Sequence, residues 1–345
     1  MGSRTAVITF FSGTGNTRHA CGLLAAALER SGWRVRLLEI APPHRGTAAD
    51  RPDEAPPDLA VFACPVFAFS VPHIVRRFIR RLPEARRTPA AVLAVFGDDF
   101  SGPPEARRRV SGFEGGALDA AARMLGRRGY AVRSTRVVGF PHSFTQFAPP
   151  PGDEECRLIL ADAKEAIAAI AADLDAGRHE RRGRGRATRA WTGVVGGLFS
   201  LVGRRVLGKT YVADDRCTSC GWCERSCPAG TIRMRGRAGR RRLPRWGWRC
   251  EACQRCINGC PEQAIQVSVF RLAGIAVAVL PWGLLAARSW LRFSGAWLIG
   301  WLVGTLALTV SVDLALRLLE RVPGVRRWLF KGYTRKFRRY PGPAG

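Results

Sequence analysis

Along the first 175 residues, short apolar runs alternate with stretches in which apolar side chains recur every three or four positions. The runs at 5–11, 33–40, 59–64, 90–97 and 130–139 predict five strands. The helical periods at 17–30, 73–82, 116–128 and 153–174 predict four helices between and after them. Strands that alternate with helices form a parallel sheet covered on both faces, a doubly wound α/β domain. The pattern then breaks. Residues 178–190 carry six arginines and one glutamate without periodicity, which predicts a flexible basic linker. Residues 191–207 are apolar with glycines, suited either to a lipid headgroup zone or to packing on the next module.

Near the C-terminus the pattern becomes continuously apolar. Residues 293–312 are 20 positions without a charge, about 30 Å as a helix. Residues 267–287 carry only Arg271, with Pro281 inside. Together they predict a C-terminal transmembrane helical hairpin, with both chain ends on the cytoplasmic side. The tail from Arg317, with nine basic residues and one acid, supports that topology.

The loop after the first strand reads Ser12, Gly13, Thr14, Gly15, Asn16, Thr17. Two glycines permit a tight turn, hydroxyls and an amide supply donors, and the following helix N-terminus favours a phosphate. The loop lacks the Gly-Lys-Ser/Thr ending of a Walker A loop and the G-x-G-x-x-G spacing of a dinucleotide site. It resembles the FMN phosphate loop of flavodoxins. That resemblance implies the strand order 2-1-3-4-5, with the ligand outside the C-terminal strand ends. It implies a flavin ring beside Pro65, Val66, Phe67, Ala68 and Phe69 after strand three, and beside Gly97 and Asp98 after strand four. Phe67, Phe69 or Phe100 would be the stacking side chains, and 103–114 looks like an insertion.

Eleven cysteines raise the question of compartment. No leader pattern precedes the first strand, so reduced thiols in the cytoplasm are expected. Cys21, Cys64 and Cys156 stand alone and read as small buried hydrophobes. The other eight form two runs of C-x2-C-x2-C-x3-C-P: Cys217, Cys220, Cys223 and Cys227, then Cys250, Cys253, Cys256 and Cys260. Paired structural zinc knuckles are the alternative, but two complete runs ending in Cys-Pro point to clusters. The runs resemble bacterial ferredoxins with two [4Fe-4S] clusters. The resemblance implies crossed ligation, one cluster on Cys217, Cys220, Cys223 and Cys260, the other on Cys250, Cys253, Cys256 and Cys227. The order of the two halves, with CPVFAFSVP after strand three and GGAL opening a helix, resembles the prokaryotic flavodoxin–ferredoxin fusion family.

The expected organisation is therefore a flavodoxin-like FMN domain at 1–176, a basic linker and apolar connector at 177–210, and a small α+β two-cluster ferredoxin module at 211–268. Two transmembrane helices at 269–316 and a basic cytoplasmic tail at 317–345 complete it. The chain carries 55 basic and 27 acidic residues, a net charge of +28, and only four of the cations are lysines. Eight arginines and no acid lie between the two cysteine runs. This charge flanks the apolar segments and the cysteine module, so anionic lipid is the expected polyanion and nucleic acid is not. A multi-pass protein of the cell inner membrane is expected, its redox domains in the cytoplasm, relaying electrons between FMN and two [4Fe-4S] clusters. Redox proteins, and a quinone as a further candidate, would be its partners beside the lipid bilayer. The alternative is a membrane-bound flavin-dependent reductase or dehydrogenase, with His73 and His142 as acid–base candidates.

Overall fold

The computed structural model describes residues 3–40, 56–98, 114–236, 241–274, 276, 295–319, 322, 324–325, 330 and 332–343. The chain divides into two units. The first comprises Met1–Phe144, Pro149–Ser200 and Tyr340–Gly345, and the second Thr145–Ala148 and Leu201–Arg339.

In the first unit, β1 (Thr5–Phe10), β2 (Arg34–Glu39), β3 (Leu59–Pro65), β4 (Pro89–Asp98) and β5 (Ala131–Pro141) form a parallel sheet in the order β2-β1-β3-β4-β5. Central β3 is buried from Leu59 to Cys64, as a strand covered on both faces has to be, while edge strand β2 exposes Arg34 and Leu37. Helices α1 (Asn16–Arg30) and α4 (Asp153–Asp175) pack on one core with Ile8, Leu24, Leu28, Val61, Leu93, Phe140 and Ile167. Helices α2 (His73–Ile79) and α3 (Ala117–Gly126) pack together apart from that core. The expected doubly wound order is thus observed.

The basic linker is not loose. Thr135 N–H donates to the Glu180 carbonyl (2.9 Å) and Arg182 N–H to Thr135 Oγ1 (2.8 Å), which holds the segment along β5. Arg136, 5% exposed, is tied to Asp173 (3.0 Å) and to Glu180. The apolar stretch that follows begins as helix α5 (Arg186–Leu198), which packs within this unit. A Cβ on its Gly196 would lie 2.4 Å from the Ser70 Cβ, so only glycine allows this approach.

The second unit opens with α6 (Arg204–Lys209) and β6 (Tyr211–Ala213). Then come α7 (Trp222–Ser226), β7 (Ile232–Arg235), β8 (Leu243–Trp246), α8 (Arg255–Asn258) and β9 (Ile265–Val267). Strands β6 and β9 pair antiparallel, as do β7 and β8. The basic tail is part of this unit up to Arg339. Gly332 bridges Ser268, Thr334 Oγ1 accepts from Val267 N–H (3.0 Å), and Arg339 donates to the Ile265 carbonyl (3.0 Å).

The transmembrane hairpin, and with it the multi-pass topology, is not supported. Among the described residues no helix is long and apolar enough to cross a membrane. The first predicted span begins inside β9, and most of 275–294 lies outside the described residues. The second falls in α9 (Gly295–Leu319), which turns Thr309 and Asp313 inward while Ile299, Val303, Leu314 and Leu318 are exposed. The physical reason is a buried charge cluster. Asp313 pairs with Arg271 (3.0 Å) and Lys209 (3.3 Å), all nearly inaccessible, so the two apolar segments are fastened by ions to α6. Lys209 also donates to the Trp246 carbonyl (2.8 Å) and lies 4.3 Å over the Trp248 ring. Replacing Asp313 by alanine strands two buried cations and is expected to cost about 3–5 kcal/mol. Chemical denaturation of the full chain reads this as an earlier unfolding transition; an unchanged midpoint would show that the cluster does not hold the helix.

Candidate functional site

Each cysteine run begins as a tightly curled loop. Ser219 (φ 64°) and Gly221 (φ 72°) in the first run, and Ala252 (φ 51°) and Gln254 (φ 62°) at the same two places in the second, are left-handed. Three of these four are not glycine, and each carries a conformational cost that the repeat imposes twice. Alternating left- and right-handed residues turn successive amides toward one side, forming a concavity that suits sulfur anions.

Burial, and after it the nearby Cys260 and Cys217 thiols, raises Cys223. Burial, and after it the nearby Cys250 thiol, raises Cys256, and burial followed by Cys227 raises Cys253. Among the described residues no three His, Cys, Asp or Glu side chains are grouped to hold a metal ion. Yet Cys217, Cys220, Cys223 and Cys260 line one cavity, closed by Trp222, Met234, Pro244 and Ile265. Donors point at the sulfurs: Ala252 N–H to Cys250 Sγ (3.4 Å), Ala264 N–H to Cys260 Sγ (3.4 Å) and Trp246 Nε1–H to Cys256 Sγ (3.5 Å). Four thiols around a gap, one of them, Cys260, accepting a backbone N–H, fit an iron–sulfur cluster. Burial and neighbouring thiols push Cys223 up to about 12 and Cys253 up to about 11, and raise Cys250 and Cys256 as well. Without metal these groups stay protonated, so ligation has to displace protons.

Basic groups brace the second set from behind. Arg204 donates to the Cys250 carbonyl (2.8 Å) and pairs with Glu251 (3.5 Å), with both side chains about 5% exposed. A Cβ on Gly208 would lie 2.4 Å from Cys250 Cβ, so α6 reaches the cysteine only through that glycine. Arg204 and Gly208 fall in or next to the stretch offered above as interfacial, and here they belong to the cysteine site. Nothing in the sequence marked Gln146 either. Its amide donates to Thr210 (2.7 Å) and Leu207 (3.1 Å), and its oxygen accepts from Tyr211 (3.0 Å) and Gln254 (3.1 Å). Its partners lie 61 to 108 positions away, which no local pattern reveals.

In the first unit the β1–α1 loop has the expected form. Gly15 takes φ 107°, and α1 opens with no side-chain cap, leaving first-turn amides for an anion. Ser12 and Thr17 are buried, and Ser12 Oγ accepts from Gly15 N–H (3.2 Å). Gly13 is buried beside them, and Thr14 Oγ1 lies 2.7 Å from Ser143 Oγ. The Asn16 amide donates to the Pro141 carbonyl (2.8 Å) and its oxygen accepts from Tyr340 (2.6 Å), so the side chain also braces the loop internally. Tyr340, 4% exposed, comes from the C-terminal tail, where sequence reasoning saw only charge.

The neighbouring loops are equally defined. Pro65 ends β3, and Val66 N–H donates to the Val95 carbonyl (2.9 Å). Phe67 and Ser70 exchange two backbone hydrogen bonds (3.0 Å each), with Ala68 (φ 45°) and Phe69 (φ 61°) left-handed between them. Two successive non-glycine residues in that region carry a conformational cost that the surrounding structure has to sustain. Phe69 packs against Gly115, where an added Cβ would meet its Cβ at 2.5 Å. Gly97 is exposed, whereas Asp98 is buried and its carbonyl accepts from His142 N–H (2.9 Å). The His142 ring is hydrogen-bonded to the Pro149 carbonyl (2.8 Å), His73 opens α2, and Phe100 lies outside the described residues.

Comparison with known proteins bears on both units. Residues 216–265 match the 4Fe-4S dicluster domain. The chain is also similar to a flavodoxin from Streptococcus pneumoniae TIGR4, at 18% identity over 50% of this chain and 99% of that one, with a TM-score of 0.33. A Megasphaera elsdenii flavodoxin gives 22% identity, 48% and 98% coverage and a TM-score of 0.31. An azoreductase from Bacillus anthracis gives 16%, 48%, 98% and 0.31. No curated protein matches the chain. The chain joins a parallel sheet of the order 2-1-3-4-5 to a 4Fe-4S dicluster domain, which supports an electron-transfer role.

Because Trp246 Nε1–H donates to Cys256 Sγ, Trp246→Phe removes a bond that stabilises the electron-rich sulfur. A more negative reduction potential for the second cysteine set is expected in a spectroscopic redox titration. An unchanged potential would mean the indole serves packing alone.

Proposed function

We propose that the chain relays electrons between FMN, held by its first unit, and two [4Fe-4S] clusters held by the second. The observation that carries this reading is that Cys217, Cys220, Cys223 and Cys260, drawn from both runs, line one cavity within the stretch that matches the 4Fe-4S dicluster domain. A bound flavin supplies one- or two-electron exchange, and each cluster supplies one-electron exchange. Cys217, Cys220, Cys223 and Cys260 would hold one cluster, and Cys250, Cys253, Cys256 and Cys227 the other. The amides of the Ser12 to Thr17 loop and of the first turn of α1 would bind the FMN phosphate. Gly15 supplies the left-handed turn that brings the backbone there. Asn16, clamped by Pro141 and Tyr340, also positions that turn. The loops at Pro65, Val66, Phe67, Ala68 and Phe69 and at Gly97 and Asp98 lie at the C-terminal ends of β3 and β4. Open α/β sheets bind their ligands on that side.

The deciding experiment is anaerobic purification with iron, acid-labile sulfide and flavin assayed together. About eight iron and eight sulfide per chain are expected from two cubanes, together with one flavin mononucleotide. Zinc in their place, or flavin released as the dinucleotide, would refute the assignment. Cys227→Ser is expected to remove the electron paramagnetic resonance signal of the cluster on Cys250, Cys253 and Cys256 and to spare the other. The reverse loss would overturn the crossed ligation. Tyr340→Phe deletes one buried hydrogen bond, worth about 1 kcal/mol, and should weaken flavin binding roughly fivefold in a fluorescence titration. Unaltered affinity would detach the tail from the site.

A further inference from the structure

The two cysteine sets differ in their access to solvent. Cys227, Cys250 and Cys256 are each under 10% exposed, and Cys253 is partly exposed. In the other set Cys223 is buried, Cys217 and Cys260 are partly exposed, and Cys220 is the most exposed of the eight. Electron exchange between proteins requires close approach, so an outside carrier has its opening at Cys220. Between Arg216 and Arg249 the chain carries ten arginines and a single acid, Glu224. Several arginines are fastened to the first cysteine loop itself. Arg225 donates to the Cys220 carbonyl (2.9 Å), Arg241 donates to the Cys217 carbonyl, and Ser219 Oγ donates to the Arg242 carbonyl (2.6 Å). On β7 the alternation turns Ile232 and Met234 inward and Arg233 and Arg235 outward. Glu224 lies 3.9 Å from Arg233.

We propose that this arginine face is the docking surface for an acidic electron-carrier protein, which exchanges one electron with the cluster site at Cys220. The inference rests on the iron–sulfur reading above. Among the described residues no large apolar side chain of 216–249 is exposed, so the face offers charge rather than a greasy patch. Small, charge-steered contacts of this kind suit transient redox encounters, where fast release matters as much as binding. Hydrogen bonds already hold several guanidinium groups in place, which lowers the ordering cost on docking. In the step itself one electron leaves the reduced carrier, oxidising it by one unit, and the cluster is reduced by one unit with no bond made.

The test uses the full chain with its clusters loaded and a photoreduced acidic bacterial ferredoxin as probe. Stopped-flow spectroscopy follows the second-order rate against ionic strength. The rate should fall steeply with salt, and Arg233→Glu combined with Arg235→Glu should slow it about tenfold or more at low salt. The difference should fade near 1 M salt, where charges are screened within about 3 Å. Methyl viologen radical cation should still reduce the variant at least as fast as the parent, which shows the clusters intact. A salt-independent rate, or an unchanged rate in the variant, overturns the proposal. So does capture by phosphatidylglycerol vesicles that the double variant abolishes while the carrier rate stays constant, since the face then belongs to lipid. Failure of the parent protein to contain iron and sulfide would instead reject the function proposed above.

Discussion

The second unit depends on contact between the two halves of its cysteine repeat. Cys260 of the second run lines one cavity with Cys217, Cys220 and Cys223 of the first, so that set draws on both halves. Local sequence alone builds two curled loops. The pairing of β6 with β9 brings together strands that lie before the first run and after the second, which closes the repeat on itself. Small redox modules bury little apolar surface, and side chains such as Ile232, Ile257 and Val267 form only a thin core around the thiols. Metal ligation would then contribute folding energy directly, as it does in other small metallo-domains.

The same economy explains the chain's C-terminal third. A helix with a long apolar sequence is held by Asp313, whose partners Arg271 and Lys209 come from different segments. Removing one partner of such a pair leaves an uncompensated charge, so the cluster dictates where the helix sits. Beyond it, residues 332–339 pack on β9, and Tyr340 reaches Asn16 in the first unit. What composition presents as a basic tail is two anchors in succession. The first extends the cysteine unit, and the second braces a loop at the start of the chain.

Much of the first unit was legible in the sequence. The five predicted strands and four predicted helices lie within a few residues of their expected bounds. Apolar runs and helical periods are local signals, and β3 could be buried only as a central strand. The eight cysteines were equally plain, because their spacing is itself the chemistry. Other features were not legible because each depends on residues far apart in the chain. The bonds of Asn16 to Pro141 and Tyr340 span 125 and 324 positions. Residues 178–190 look flexible until Thr135 and Glu180 hydrogen-bond them to β5. The span at 293–312 looks lipid-bound because a hydropathy pattern stops one residue short of Asp313 and does not register the cations that meet it. Periodicity and motif spacing are properties of neighbours along the chain, and the sequence determined them. The destination of each buried charge and each side-chain amide is a matter of distant partners, and only the tertiary structure decided it.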